Sequence, residues 1–349
     1  MKSTTLPLPS GFTMPRKAVT VCLFLALVLC SFIFLSSDPA TLNQQLVKAG
    51  NYASSTHRKS ALAILESSPD EKVTSCPEKQ TKIDAKLWNS IKKKTDSLLD
   101  DKFTILLQTY RRPDILGRTL NAILGEYVPS LLEVHIIWND PETPAPENFV
   151  SKHGVPVIYR KTTRNSLNEK LRPNEAYRTK AVLLHDDDVY YHPRDMEFVF
   201  QTWRKKAQDR VVGAFARMHV QNAEGVWELG FSSDAYSVVM TGLVFVHIAF
   251  TEYYWTDDPV MKQIRDFVDN LTNCEDVAMN MLVSAITCQP PLQINGLKNP
   301  SNEAPAIAIS TSAEHPAARI ACMNDLPVMF GAMPLINTTE SIKHGQFDW

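Results

Sequence analysis

Ala181-Val182-Leu183-Leu184-His185-Asp186-Asp187-Asp188 joins a short apolar run directly to three consecutive carboxylates. The apolar half reads as a buried strand, which places the aspartates at its C-terminal tip. Two carboxylates about 5–6 Å apart repel by roughly 3 kcal/mol at an effective dielectric of 20. A hard divalent cation removes that cost. Mg²⁺ and Mn²⁺ prefer oxygen ligands, and such sites are often completed by the phosphates of a substrate. The triplet is therefore a candidate metal–diphosphate site. The competing reading is a solvated acidic turn, and the flanking sequence has to decide between them.

Upstream, Phe103 to Leu107 reads as a first strand, ending at Gln108-Thr109-Tyr110. Asp114 is a candidate cap for a helix reaching Leu124, with Leu116, Leu120 and Leu124 on one face. Glu133 to Trp138 is a second strand, closed by Asn139-Asp140-Pro141, and Val155 to Tyr159 a third. Arg164 to Arg172 is polar and reads as helical. Ala181 to His185 is then the fourth strand. Asp195 to Lys206 follows as a helix with Met196, Val199, Phe200 and Trp203 at core spacing. This order implies an α/β sandwich around a mixed, mostly parallel central sheet flanked by helices. In such sheets ligands bind beyond the carboxyl ends of the strands, where Gln108, Asn139 and Asp186 converge. Neither a GxGxxG loop nor a Walker-type phosphate loop is present in the sequence.

Further on, Tyr236 to His247 is apolar and β-branched, with Gly242 inside it. An interior glycine marks a bulge or a close approach of another group. Pro259 to Leu271 and Glu275 to Thr287 read as helices. Asn273 is a candidate cap for the second, which puts Glu275 and Asp276 in its first turn, where carboxylates suit the helix dipole.

The N-terminal part has a different texture. Ala18 to Leu35 contains no charged residue, and eighteen residues at 1.5 Å each span about 27 Å, the apolar thickness of a thin bilayer. Lys2, Arg16 and Lys17 precede it and Asp38 follows, which keeps the N-terminal flank cytoplasmic. The expected organisation is a cytoplasmic tail over residues 1–17, a transmembrane signal anchor over 18–36, a luminal stem over 37–100 and a catalytic domain over 101–349. A cleaved signal peptide is the rival for the apolar run. Within the stem, Gln80 to Asp100 has helical spacing at Ile83, Leu87 and Ile91. Cys76, Cys274, Cys288 and Cys322 would face an oxidising lumen; four cysteines permit three complete pairings, and spacing alone chooses none of them. Asn270-Leu271-Thr272 and Asn337-Thr338-Thr339 are glycosylation sequons. A formal net charge of −2 over 349 residues argues against a nucleic-acid partner.

Six blocks in order carry a family resemblance: FTILLQTYRRPD (103–114), EVHIIWND (133–140), AVLLHDDDVY (181–190), RVVGAFARMHV (210–220), TNCEDVAMNMLVS (272–284) and AEHPAARIACMN (313–324). Together they resemble the glycosyltransferase family 64 domain of the exostosin and exostosin-like family, in its short single-domain form. The resemblance implies a GT-A fold and a retaining, Mn²⁺-dependent glycosyltransferase, with Mg²⁺ as a substitute ion. The implied reaction moves a sugar, an N-acetylhexosamine from a UDP-sugar in the first instance, onto a glycan or glycolipid acceptor. It also implies a Golgi or endoplasmic-reticulum setting and allows a homo-dimer. A non-catalytic luminal binding module on the same fold is the alternative.

Residue by residue, the resemblance makes Asp188 the metal ligand and turns Asp186 and Asp187 towards the ribose and the donor sugar. Gln108, Arg112, Asn139 and Asn165 would hold the nucleotide. Lys170 stands where the family carries arginine, which keeps a charge near the diphosphate but loses the bidentate fork. Asp276 and Arg319 match catalytic positions, and Glu275 stands where another acid is found. Cys274 and Cys322 match a family disulfide that would hold these two regions in register.

Overall fold

The computed structural model of the chain describes residues 81–231, 234–303 and 312–345. The tail, the apolar segment 18–36, most of the stem and Cys76 lie outside the described residues. Among the described residues, no helix is long and apolar enough to cross a membrane.

The chain runs α1 (Ala85–Lys94), β1 (Leu99–Thr109), α2 (Pro113–Ile123), β2 (Leu131–Trp138), β3 (Phe149–Val150), β4 (Pro156–Lys161) and β5 (Thr179–Asp186). It continues through β6 (Val189–Tyr190), α3 (Pro193–Lys206), β7 (Val212–Gly213), β8 (Ala216–Gln221), β9 (Trp227–Gly230), β10 (Val238–Val239) and β11 (Leu243–His247). The last elements are α4 (Ile248–Tyr254), α5 (Pro259–Leu271), α6 (Glu275–Thr287), β12 (Leu292–Asn295), β13 (Ser301–Asn302), α7 (His315–Phe330) and β14 (Ser341–Lys343).

Nine strands make the central sheet in the order β14-β12-β7-β11-β5-β1-β2-β4-β3. Only β3 and β11 oppose the common direction. The four strands read from sequence, β4-β2-β1-β5, are the parallel heart of the sheet. A small ribbon, β10-β8-β9, and the β6–β13 pair stand beside it.

The two faces of the sheet follow the period of two in its side chains. Leu106, Val182, Leu184, Val244 and Val246 point to one face and pack beneath α4, α5, α6 and α7. Phe103, Ile105, Leu107, Ala181, Leu183 and Phe245 point to the other, where Leu116, Leu120 and Ile123 of α2 and Met196, Val199, Phe200 and Trp203 of α3 meet them. Residues 275–285 of α6 are buried on every side. A helix that is apolar all round belongs in the interior, so its two first-turn carboxylates are carried inside with it. The helix expected within the stem, α1, packs on the domain: Ile91 is buried and Trp88 stacks on Phe250 with ring centroids 4.8 Å apart.

Three local expectations change. Pro113 opens α2 and Arg112 occupies the cap position, so Asp114 lies inside the first turn instead of capping it. The cap residue of α6 is Cys274, in a left-handed conformation; Asn273 accepts only the adjacent Cys274 N–H. The 164–172 stretch contains a 3₁₀ turn, Leu167–Leu171, in place of an α-helix. The 236–247 stretch forms two strands about a turn at Met240–Gly242, and its interior glycine marks a close approach of the Asp186 carboxylate. A Cβ at Gly242 would lie 2.7 Å from Asp186 Oδ2.

Candidate active site

Strand register assembles the site. Gln108 pairs with Asp186 across β1 and β5, while Thr109 pairs with Trp138 across β1 and β2. Asn139, one residue past β2, donates its N–H to Thr109 O at 3.0 Å. Gln108, Asn139 and the aspartate triplet therefore meet at one end of the sheet, the carboxyl end of its parallel strands.

The three aspartates do not share one environment. β5 ends at Asp186, and Asp187 and Asp188 form the turn that leads into β6. The Asp186 and Asp188 side chains keep 40% and 14% of their surface. Asp187 keeps none: its Oδ2 accepts from Thr109 Oγ1 at 2.7 Å, and Thr119 Oγ1 donates to its backbone carbonyl. The expectation that Asp187 faces the donor is thus met by a carboxylate turned inward. Burial pushes Asp187 up to about 7, against the pull of Thr109 and Arg112. Burial, then the neighbouring Asp186 charge, raises Asp188.

Arg112 neutralises this cluster. Its guanidinium donates to Asp188 Oδ2 at 2.9 Å and lies 2.8 Å from Asp187 Oδ1. The second contact is an ion-pair approach without hydrogen-bond alignment, since Asp187 Oδ1 has no hydrogen-bond partner among the described residues. Oxygen-only donors in a raised-pKa carboxylate cluster suit a hard cation. Among the described residues no group of three His, Cys, Asp or Glu side chains forms a closed cage. Asp186 and Asp188, the two members of the triplet with exposed surface, are the carboxylates that could hold such an ion.

The nucleotide candidates lie on the other side of β1. Gln108 Nε2 and Asn139 Nδ2 both donate to Ser166 O, at 3.1 and 2.8 Å. Asn139 Nδ2 also reaches Asn165 Oδ1 at 3.5 Å, and Asn165 is exposed. Gln108 Oε1 is buried without a partner, a polar atom left for a ligand or water.

Lys170 has no exposed surface. Its ammonium lies 2.7 Å from Asp186 Oδ1 and 4.0 Å from Glu275 Oε1, and it donates to Thr241 O at 3.4 Å. Burial acts to lower its pKa, but Asp186 and Glu275 more than offset this and hold it raised. The charge expected at the diphosphate is engaged with two carboxylates instead.

Through Lys170 the triplet is tied to the second cluster. Arg319 Nη1 donates to Asp276 Oδ1 at 2.5 Å, and Val277 N–H reaches the same oxygen at 2.7 Å. Burial works to raise Asp276, yet Arg319 and the Val277 N–H hold it below the ordinary carboxylate range. Glu275 is pushed the opposite way, up to about 7, by burial and by the Asp276 charge. Adjacent acids driven apart in this manner leave an ionised carboxyl beside one that is only partly ionised near neutral pH. A disulfide joins Cys274 to Cys322, with Cα atoms 5.3 Å apart, and fastens the α6 start to α7 beside Arg319. Cys288 is also disulfide-bonded. Asn270 and Asn337 of the two sequons are both exposed.

Sequence reasoning overlooked three contributors. Thr109 follows Gln108 directly, and strand alternation pointed to it. His315 lies one helical turn before Arg319, with ring nitrogen and guanidinium 3.4 Å apart, an i,i+4 pair that was readable. The Ser166 carbonyl carried no sequence signal.

The family model described as Glycosyl transferase family 64 domain matches residues 103–347. Exostosin-like 2 of Mus musculus is 31% identical over 267 residues, covering 71% of this chain and 78% of that protein. Exostosin-2 of Homo sapiens is 32% identical over 239 residues, 67% of this chain but 33% of that longer protein. Glycosylinositol phosphorylceramide mannosyl transferase 1 of Arabidopsis thaliana is 27% identical over 258 residues, covering 68% and 75%. The chain belongs to glycosyl transferase family 64 and is a glycosyltransferase of the exostosin family.

Proposed function

We propose that the chain is a retaining transferase of the GT-A type, moving an N-acetylhexosamine from a UDP-sugar to a glycan or glycolipid acceptor with Mn²⁺ as cofactor. In this reading residues 18–36 anchor it in a Golgi or endoplasmic-reticulum membrane, and the domain faces the lumen. The observation that carries the reading is the pair of charge clusters, Arg112 with the aspartates and Arg319 with Asp276, joined through the buried Lys170. Asp188 would hold the metal once Arg112 is drawn away, and Arg112 is then free to meet donor phosphate. Bound Mn²⁺ supplies Lewis-acid neutralisation of the leaving diphosphate. Gln108, Asn139 and Asn165 orient the nucleotide. Asp276, ionised beside Arg319, stabilises positive charge developing on the sugar. Glu275, raised towards neutrality by burial and by Asp276, carries less than a full negative charge beside it.

The test is a panel of UDP- and GDP-sugars incubated with the full chain and Mn²⁺. Release of an intact nucleoside diphosphate is expected, and Asp276→Asn should keep donor binding while losing transfer. No turnover with any donor, or release of inorganic phosphate, sinks the reading. The name of the plant relative favours a second donor–acceptor pair, mannose onto an inositol phosphorylceramide. A GDP-mannose arm with a glycosylinositol phosphorylceramide acceptor separates the two.

A further inference from the structure

Asp269, on α5, takes no part in the charge clusters described above, yet it is the hub of a separate polar network. Its Oδ2 lies 2.7 Å from Arg164 Nη1. Its Oδ1 accepts from Ser166 Oγ and, at 2.8 Å, from Asn168 Nδ2. One carboxylate thus holds alternate residues 164, 166 and 168 of a single segment. Asn168 is fixed a second time: Tyr254 OH donates to its Oδ1 at 2.6 Å, and its amide donates to Arg265 O at 2.9 Å. The far side of the same segment faces the nucleotide candidates. The Ser166 carbonyl receives Gln108 and Asn139, and Asn165 projects between them and solvent.

We propose that Asp269 is a positioning residue for the nucleotide: it orders segment 164–168, and through the Ser166 carbonyl it sets the orientation of Gln108 and Asn139. The assignment rests on the donor reading above. The chemistry suits the task. Charge-assisted hydrogen bonds are shorter and stronger than neutral ones, and a carboxylate with two oxygens can restrain three donors at once. An apolar contact would dock the segment on α5 without fixing the direction of the Ser166 carbonyl. Asp269 also lies six residues before Glu275, so α5 connects the nucleotide side of the cleft to the start of α6.

The experiment compares the full-length chain with Asp269→Ala and Asp269→Asn by hydrogen exchange and by calorimetric binding of UDP in Mn²⁺. Asparagine keeps an Oδ1 acceptor for Ser166 and Asn168, so it is the conservative rescue. In Asp269→Ala, exchange over 164–171 should rise and UDP affinity should fall, each about tenfold, the scale of a lost hydrogen bond to a charged group. Exchange in β5 and α6 should stay unchanged. Asp269→Asn should remain within about threefold of the parent chain for UDP, as one retained acceptor predicts. Unchanged exchange in 164–171, a rise spread over the whole domain, or equal UDP affinity in parent and Asp269→Ala would each overturn the proposal. Failure of the parent chain itself to bind UDP counts against the donor reading, and the exchange pattern then decides by itself whether Asp269 orders the segment.

Discussion

The Lys170 ammonium, fully enclosed, lies 2.7 Å from Asp186 Oδ1 and reaches Glu275 on its other side at 4.0 Å. One positive charge therefore serves two carboxylates that belong to different halves of the site.

Removing that charge should cost more than a surface ion pair would. Breaking a buried pair by deleting one partner costs about 3–5 kcal/mol, because the other charge is left uncompensated. Asp186 is partly solvated, so the lower end, about 3 kcal/mol, is expected for Lys170→Met. Urea denaturation at neutral pH measures it. A loss below about 1 kcal/mol would place Lys170 with ordinary exposed pairs. Lys170→Arg should also destabilise, since a larger guanidinium has no open space in a site without exposed surface.

Gly242 tests the other side of Asp186. A Cβ there would come within 2.7 Å of Oδ2 and 3.3 Å of the carboxyl carbon. The aspartate side chain is short and tied to Lys170, so it cannot swing away without giving up that pair. Gly242→Ala should therefore displace the carboxylate and weaken UDP binding in Mn²⁺ by roughly tenfold or more, with modest loss of stability. Calorimetry with UDP reads the first and thermal denaturation the second. Unaltered binding would mean that Asp186 has room the packing does not suggest.

The parallel heart of the fold was legible because β1, β2, β4 and β5 are apolar runs closed by polar tips, and α2, α3, α5 and α6 carry apolar stripes or first-turn acids. The missing strands are too short to announce themselves: β7 has two residues and β14 three, and both are defined by pairing to distant partners. In the site, residue types were legible but directions were not. Three identical letters, Asp186, Asp187 and Asp188, give no hint that the middle one turns inward to Thr109. Its direction comes from the turn that follows β5 and from the hydroxyl that Thr109 of β1 supplies. Lys170 was readable as a charge near the donor, but its burial depends on Glu275, more than a hundred residues later in the chain.

The Cys274–Cys322 bridge fixes Asp276 and Arg319 in register. It closes a loop with a sequence separation of 48. On a loop-entropy estimate such a closure stabilises by about 4 kcal/mol. The double change Cys274→Ala with Cys322→Ala should lower the midpoint of urea denaturation accordingly, and reductant should destabilise the parent chain but leave the variant unaffected at this bridge. If the folded variant also loses turnover while retaining UDP binding, the bridge acts on the Asp276–Arg319 geometry. Full turnover in a folded variant would limit its role to stability.

Glu275 makes a prediction about pH. Its folded-state pKa lies near 7, raised from an ordinary 4.5 by burial and by Asp276. The folded chain therefore binds this proton more tightly than the unfolded chain between those values. Stability from this group is fully present below pH 4.5 and is lost as pH rises through about 7. The loss is on the order of 3 kcal/mol across that window. Glu275→Gln cannot titrate, so it removes this component. The Lys170 ammonium favours the ionised form of Glu275, and that attraction is already contained in the folded-state pKa. The quantity to follow is the difference in unfolding free energy between parent and variant from pH 4.5 to pH 8, measured with urea. Groups distant from Glu275 contribute equally to both proteins and cancel, whereas Asp276 beside it is part of the difference. The difference should move steadily in favour of Glu275→Gln as pH rises and level off above 7. Two parallel curves would show that Glu275 is fully ionised at neutral pH, and its reduced charge beside Asp276 would then be lost.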